Sequence, residues 1–244
     1  MSRNVELSSE REKEPALSRT TGDAPASGAG EPRRPNLEAR AREEATRCVQ
    51  RVFLAPGASA PRVVVVCAAE PGDGCTWVCA SLGKTLASLT KGSVCLVDAN
   101  LRSPFLYRHF GGEGLRGLTV VDRGTVRSSA RQLGSSNLWL MSCAEPASDA
   151  LAALTSDAHR ERIAGLRAAF QYVLIDSGPV NACAEPVMLG QLADGVVLVV
   201  KSNSTKRESV WSAKESLEAA GVRFLGAVLN ARAFPLPEAL YRRL

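Results

Sequence analysis

The chain has 244 residues, of which 45% are hydrophobic and 23% are charged, and its formal net charge is +5. These values are typical of globular proteins and exclude collagen-like, wholly disordered and disulfide-scaffold classes. The longest apolar runs fall far short of the roughly 20 residues that cross a bilayer, and the first residues lack the apolar core of a secretory signal. The positive charge is spread along the chain, so it does not indicate nucleic-acid binding. We therefore expect a cytoplasmic protein without a nucleic-acid partner.

The composition changes twice along the chain and predicts three segments. Residues 1–36 contain Ser, Pro, Gly, Ala and mixed charge with almost no large apolar residue. Burial cannot offset the entropy of ordering such a segment, which predicts a disordered tail. Residues 37–61 are predicted to form a helical arm, Leu37 to about Phe53, and a linker with Pro56 and Pro61. Residues 62–244 are expected to form one folded domain.

Short apolar runs alternate with helical stretches from residue 62 onward. The predicted strands begin near residues 63, 94, 138, 172, 195 and 224, and the predicted helices span about 76–88, 157–170 and 206–220. Each run is short enough for a strand that is buried on both faces. The alternation predicts an α/β fold with a doubly wound, mostly parallel sheet flanked by helices. In such sheets, ligands bind beyond the carboxyl ends of the strands.

The cysteines are predicted to be structural. Most of the seven lie inside apolar segments, and none forms a Cys-x-x-Cys pair. Cys75 and Cys79 share one face of a predicted helix, but two thiols without a nearby His make a poor zinc site. We therefore expect free core cysteines in a reducing compartment.

A glycine-rich turn follows the first predicted strand. Gly72, Asp73 and Gly74 stand there, shortly before the helix that begins near Thr76. Glycines let the backbone curl so that successive N–H groups and the helix dipole face an anion, and a hydroxyl at Thr76 suits a Mg²⁺ ligand. The pattern indicates a phosphate-binding loop, although an ordinary strand-to-helix turn with two glycines has the same composition.

Two predicted strands end in an aspartate. Asp98 closes the strand that begins at residue 94, and Asp176 closes the strand that begins at residue 172. A carboxylate at the end of a buried apolar strand is costly unless it meets a cation or hydrogen-bond donors. If the two strands flank the glycine turn, the carboxylates predict a Mg²⁺ site that faces a nucleotide. The alternative is that each aspartate caps the turn or helix that follows it.

Taken in order, these motifs resemble the bacterial tyrosine kinases (BY-kinases) of capsule and exopolysaccharide synthesis, which are P-loop proteins related to the Min/Par partition ATPases. The motifs are Pro-Gly-Asp-Gly-x-Thr, then Val-Cys-Leu-Val-Asp-Ala-Asn-Leu-Arg-Ser-Pro, then Tyr-Val-Leu-Ile-Asp-Ser-Gly-Pro, and the similarity continues through residues 192–200 and 219–230. The resemblance covers roughly residues 37–244. It implies a P-loop NTPase fold with Walker A, A′ and B motifs that binds ATP and Mg²⁺.

The resemblance also implies a role for each motif residue. By this resemblance, the turn of Gly72, Asp73 and Gly74 would wrap the phosphates, with Cys75, Thr76 and Trp77 beside them. Thr76, Asp98 and Asp176 would form the metal site, in which Asp98 also activates the acceptor hydroxyl and Asp176 holds a metal-bound water. Asn230 falls where related ATPases often touch the base.

Three departures from the family pattern affect the expected activity. Cys75 replaces the Walker A lysine, Asn100 replaces the second Asp of an Asp-x-Asp pattern, and Trp77 occupies a usual Ser/Thr position. The lysine would supply fixed positive charge to the transferred phosphoryl, and losing one such donor costs about 3–4 kcal/mol, or roughly 10²–10³ in rate. Lys84 lies nine residues along the helix, roughly 13 Å away by helical rise, so it is not expected to compensate. We expect weak nucleotide binding without efficient catalysis.

Two further features have a functional and a structural interpretation each. Glu44 and Arg47 resemble the Glu-x-x-Arg arm that family members use for subunit contact, but a solvated helix with ion pairs three and four residues apart has the same sequence. Family members carry a tyrosine-rich tail that they phosphorylate in trans. Here the last twelve residues contain one tyrosine, Tyr241. It is either a phosphoacceptor or part of a short amphipathic terminal helix.

The sequence thus favours a degenerate BY-kinase-like protein that regulates or scaffolds exopolysaccharide assembly. The implied partners are an inner-membrane polysaccharide copolymerase (chain-length determinant), through which the protein would sit at the membrane periphery, an active BY-kinase, and further copies of the chain. One alternative is an active tyrosine autokinase. A second is a partition-type positioning ATPase, which normally needs a lysine at position 70, where this chain has Glu70.

Overall fold

The structure of the chain, a computed structural model, describes residues 37–55, 60–111, 126–141 and 157–231. The predicted disordered tail over residues 1–36 and the candidate phosphoacceptor Tyr241 lie outside these ranges. No helix within them is long and apolar enough to span a membrane.

In the described residues, the fold is built on a seven-stranded sheet with the order β3-β4-β2-β5-β1-β6-β7. Only β3, at one edge, runs antiparallel to its neighbour, while the other pairs are parallel. This confirms the doubly wound, mostly parallel sheet predicted from the strand–helix alternation. The strands are β1 (Val63–Ala68), β2 (Val94–Asp98), β3 (Arg131–Gln132), β4 (Leu138–Met141), β5 (Tyr172–Pro179), β6 (Gly195–Lys201) and β7 (Phe224–Asn230).

Helices pack on both faces of the sheet, and successive residues of each strand alternate between the two faces. On β1, Val64 and Val66 belong to the same buried cluster as the first two helices, whereas Val63 and Val65 belong to the cluster of the last three. Both faces are therefore apolar, which explains the continuous hydrophobic runs in the sequence. The helices are α1 (Leu37–Phe53), α2 (Cys75–Leu89), α3 (Asp157–Ala169), α4 (Glu185–Leu192) and α5 (Arg207–Ala219).

Helix α1 occupies the predicted arm segment and is packed on the domain along one side. Val49 and Phe53 are buried in the cluster that contains α2. The ring of Phe53 meets that of Tyr172 edge-on, with 6.0 Å between centroids. The apolar side of the arm is therefore already covered by its own domain.

One topological expectation is wrong. The strands that contain the two aspartates do not flank the glycine turn, because β2 and β5 lie in succession on the same side of β1. In addition, β5 does not end at Asp176 as predicted but continues to Pro179. The other neighbour of β1 is β6, so strands β2 to β5 lie on one side of β1 and strands β6 and β7 on the other. The two aspartates consequently meet each other on one side of the turn.

Candidate functional site

The turn between β1 and α2 has the backbone of an anion-binding loop. Gly72 and Gly74 have φ angles of 87° and 85°, in the left-handed region that glycine adopts without strain. Gly74 directly precedes the first residue of α2. A Cβ at position 74 would also collide with the side-chain amide of Asn230. Both glycines are therefore required by the shape of the turn, and the N-terminus of α2 opens onto it.

The glycine turn, residues 70–74, is held by the ends of β6 and β7. Asp73 is 2% exposed, and its carboxylate accepts hydrogen bonds from the Glu70 N–H (3.0 Å) and from the Thr205 hydroxyl (2.5 Å). The Asn230 Nδ2 donates to the backbone carbonyl of Asp73 at 2.8 Å. Since its Oδ1 accepts from the Ala231 N–H, the Asn230 amide is engaged on both sides. These two bonds use one Nδ2 hydrogen and one Oδ1 lone pair and leave the second of each unused, so contact with a nucleotide base stays a prediction.

Cys75 points into the domain and leaves no charge at the position where the resemblance implies a lysine. Its thiol is within hydrogen-bonding distance of the Val66 carbonyl (3.1 Å) and of Asp176 Oδ1 (3.2 Å). Burial, with the nearby charge of Asp176, raises the pKa of this thiol well above its ordinary value. Cys75 is therefore a neutral thiol, unsuited to redox or nucleophilic chemistry.

Asp98 and Asp176 are paired residues of β2 and β5 and project to the α2 face of the sheet. The carboxylate of Asp98 accepts hydrogen bonds from the backbone N–H groups of Leu106 (2.9 Å) and Asn100 (3.3 Å), as expected of an aspartate that caps the following turn. Asp176 differs, because its buried Oδ2 has no hydrogen-bond partner among the described residues. Burial and the charge of Asp98 raise the pKa of Asp176 to about 7, against smaller opposing effects of Thr76 and Cys75.

These side chains fit a Mg²⁺–phosphate group at every position except one. A buried carboxylate oxygen without a protein partner, beside the half-buried hydroxyl of Thr76, supplies the hard oxygen ligands that Mg²⁺ takes. The turn supplies backbone amides for phosphate. The exception is Cys75, whose thiol cannot replace an ammonium.

Neither Lys84 nor Trp77 supplies that charge. Lys84 turns away from the glycine turn, since its Nζ donates to the His109 carbonyl (3.3 Å) and lies 4.6 Å from the ring centroid of Phe110. Trp77 is 48% exposed on the first turn of α2. Its indole is free to contact a ligand but carries no charge.

The structure also contains a buried acid that the sequence reasoning missed. Glu185, the first residue of α4, is 3% exposed, and its Oε1 accepts a hydrogen bond from Arg102 Nε at 2.7 Å. Arg102 follows β2, so this ion pair joins the loop after Asp98 to α4. An acid within the largely apolar segment 184–192 was the available signal, but its partner lies 83 residues away.

Glu44 and Arg47 lie on the solvent side of α1. The guanidinium of Arg47 pairs with Glu44 at 3.0 Å and with Glu43 at 2.6 Å, and all three side chains are more than half exposed. These are the ion pairs that the structural interpretation of the arm predicts. A role of this surface in subunit contact stays a prediction.

No family model matches the chain, but a curated relative does. The tyrosine-protein kinase YwqD of Bacillus subtilis (strain 168) is 30% identical over 171 residues, which are 69% of this chain and 72% of the relative.

Solved structures agree on the fold. The kinase domain of Escherichia coli tyrosine kinase ETK aligns with a TM-score of 0.71 and 21% identity, over 80% of this chain and 78% of that one. The septum site-determining protein MinD of Pyrococcus horikoshii, solved with Mg-ADP, aligns with a TM-score of 0.57 and 19% identity, over 75% and 76%. The sheet is therefore that of the P-loop ATPases, and with the sequence similarity to YwqD the chain belongs to the family of bacterial tyrosine-protein kinases.

Proposed function

We propose that this chain is a degenerate bacterial tyrosine kinase that regulates or scaffolds exopolysaccharide or capsule assembly instead of catalysing efficient phosphotransfer. The observation that carries the proposal is the buried, neutral thiol of Cys75, which is directed at Val66 and Asp176 instead of at the glycine turn. A transferred phosphoryl group develops charge that a fixed cation must stabilise. Lack of that cation costs about 3–4 kcal/mol of transition-state stabilisation.

The same site retains the groups for nucleotide binding. Gly72 to Gly74 would surround the phosphates, while Thr76 and Asp176 would hold Mg²⁺, which neutralises phosphate charge when bound. The free Oδ2 of Asp176 supports this role, and the related fold of MinD was solved with Mg-ADP. Asp98 would face an acceptor hydroxyl, but its oxygens already accept backbone hydrogen bonds from Leu106 and Asn100. The protein would therefore bind Mg-ATP weakly and turn it over slowly.

A phosphotransfer assay with purified protein tests the proposal. We expect no more than trace phosphotyrosine from the wild type, and a gain of roughly 10²-fold for Cys75→Lys, because the variant returns the missing charge. Cys75→Ser is the matched control, since it keeps the size of the side chain without a cation. Wild-type turnover comparable to that of an intact relative would overturn the proposal.

The two alternative functions make separate predictions. An active autokinase would place phosphate on Tyr241, visible by mass spectrometry, and Asp98→Ala would abolish that signal. A partition-type ATPase needs a cation at position 70, but Glu70 stands there and accepts a hydrogen bond from Asn181 Nδ2 at 3.1 Å. An acid fixed beside the turn disfavours that function, because it repels phosphate.

The proposed partners are an inner-membrane polysaccharide copolymerase, an active kinase of the same family and further copies of this chain. The protein would then be cytoplasmic and peripheral to the membrane. Genes for glycosyltransferases and a chain-length determinant beside its own gene would support this assignment, and co-purification with that determinant from detergent-solubilised membranes would test it.

A further inference from the structure

One lysine lies on the same face of the sheet as the glycine turn. Along β6, Val197 and Val199 belong to the cluster that contains α2, and strand residues two apart share a face. Lys201, the last residue of β6, therefore projects to this face, just beyond the carboxyl end of the sheet. The strand β6 pairs directly with β1, whose carboxyl end leads into the turn.

The backbone of Lys201 is connected to the turn by two short routes. Its N–H donates to the Thr205 hydroxyl oxygen at 3.0 Å, and this hydroxyl donates to the carboxylate of Asp73. Its partner on β7 is Asn230, whose amide donates to the carbonyl of Asp73. The origin of the Lys201 side chain is thus fixed beside Asp73.

The ammonium of Lys201 is available for a ligand. The side chain is exposed, and within the described ranges its Nζ makes no hydrogen bond or ion pair. Two other cations on this face are engaged elsewhere, since Arg102 is paired with Glu185 and Lys84 with the His109 carbonyl.

The two neighbours of β1 carry opposite charges at this edge. Asp176 ends the apolar part of β5 on one side, and Lys201 ends β6 on the other. A metal ion at Asp176 would take the terminal phosphates. Lys201 lies on β6, on the side of β1 away from Asp176, so it would meet the phosphates that lie farther from the metal.

We propose that Lys201 binds the non-terminal phosphates of a nucleoside di- or triphosphate on the glycine turn. This inference rests on the proposed function only in that a nucleotide must bind there. Because Lys201 stands away from the metal side, it would contribute to affinity without stabilising the transferred phosphoryl group. Nucleotide binding could therefore survive the loss of the Walker A lysine while phosphotransfer does not.

The test is a titration of the full-length protein with N-methylanthraniloyl-ADP and Mg²⁺, followed by fluorescence. We expect Lys201→Gln to weaken binding about tenfold or more, because a hydrogen bond to a charged group is lost, and Lys201→Arg to retain most of the affinity. Lys91→Gln is the matched control, since this exposed lysine precedes β2 at the opposite edge of the sheet. Unlabelled adenosine has no phosphate, so its dissociation constant, obtained by displacing the probe, should be equal in all the variants.

Several outcomes would overturn the assignment. One is that Lys201→Gln and Lys91→Gln bind the labelled ADP with equal affinity. Another is that Lys201→Gln weakens the binding of adenosine as much as that of the labelled ADP. A third is that the wild type shows no saturable binding. Circular dichroism and the thermal midpoint of each variant show that it is folded. Wild-type phosphotransfer would contradict the proposed function and leave this inference intact, so the two can fail separately.

Discussion

Two buried aspartates at the glycine turn, Asp73 and Asp176, differ in how their carboxylates are hydrogen-bonded. On the side of β6 and β7, both oxygens of Asp73 accept hydrogen bonds from within the domain. On the side of β5, Asp176 is fully buried and its Oδ2 has no partner among the described residues. A satisfied carboxylate stabilises the loop that contains it, whereas an unsatisfied one costs stability until a ligand arrives. The comparison separates the structural part of the site from the part that we propose binds a metal.

The largest expected effect is that of Asp176→Asn in metal-free protein. A rise in pKa from the ordinary 3.8 to about 7 corresponds to about 4 kcal/mol. Since the folded-state pKa is the higher one, the wild type should lose stability as pH rises from about 4 to 7 and remain at the lower value above 7. The variant cannot ionise, so it should be more stable than the wild type at pH 8 and show a flatter pH profile. Mg²⁺ should no longer stabilise it.

Urea unfolding in EDTA between pH 4.5 and 8 measures this difference. Glu215→Gln removes an exposed carboxylate of α5 and serves as the control. An unchanged pH profile in Asp176→Asn would mean that Asp176 does not bear the cost of burial, and the contrast with Asp73 would disappear.

The second prediction concerns the satisfied aspartate. Thr205→Val removes the hydroxyl that donates to Asp73 and should lower the free energy of unfolding by about 2 kcal/mol, because the carboxylate is charged and buried. Thr205→Ser should restore most of the loss. In an Asp73→Ala background the same Thr205→Val change should cost much less, which a double-mutant cycle by urea unfolding would detect. Equal costs in the two backgrounds would show that Thr205 acts elsewhere.

A third buried acid, Glu185, tests whether an ion pair with an exposed partner is enough to stabilise a buried carboxylate. Arg102→Met leaves Glu185 buried without its guanidinium and should lower the thermal midpoint by less than Thr205→Val does. Burial alone raises the pKa of Glu185, but hydrogen bonds from its own backbone N–H and from Arg102 bring it below the ordinary value. The stabilisation should therefore be present above pH 4.5 and be lost as pH falls through the folded-state pKa. Adding Glu185→Gln to Arg102→Met should recover the midpoint at pH 7.

The smallest effect on stability is expected for the exposed ion pairs of α1. Arg47→Ala should change the free energy of unfolding by less than about 0.5 kcal/mol, because both acids that it pairs with face solvent. If the arm forms a subunit contact, the same variant should lower the sedimentation coefficient of an oligomer at matched concentration. An unchanged oligomeric state would leave the arm with the structural interpretation only.

The sequence predicted the long strands because each is a short, continuous apolar run, and most helices because each carries a helical pattern. It missed α4, whose residues are mostly buried or half-buried, because a helix without a broad solvent face has no amphipathic pattern. It also missed β3, since two residues are too few to show alternation. Of the site, it identified the glycine turn, Asp98 and Asp176, because each follows an apolar run, but it ended β5 at Asp176 although the strand continues to Pro179.

The partners of these residues could not be predicted, because they are distant in the chain. Thr205 lies 132 residues from Asp73, and no local pattern links a hydroxyl in one turn to a carboxylate in another. The direction of the Cys75 thiol likewise depends on Val66 and on Asp176, 101 residues away.

The sequence alone determined which residue types stand at the loop, including the absence of lysine at position 75, because the order of amino acids is local information. Only the tertiary structure decided that β2 and β5 lie on one side of β1, that Asp176 retains a free oxygen while Asp73 does not, and that Lys201 shares the face of the turn. Those properties depend on strand order and on contacts across the sheet, which arise when the chain packs.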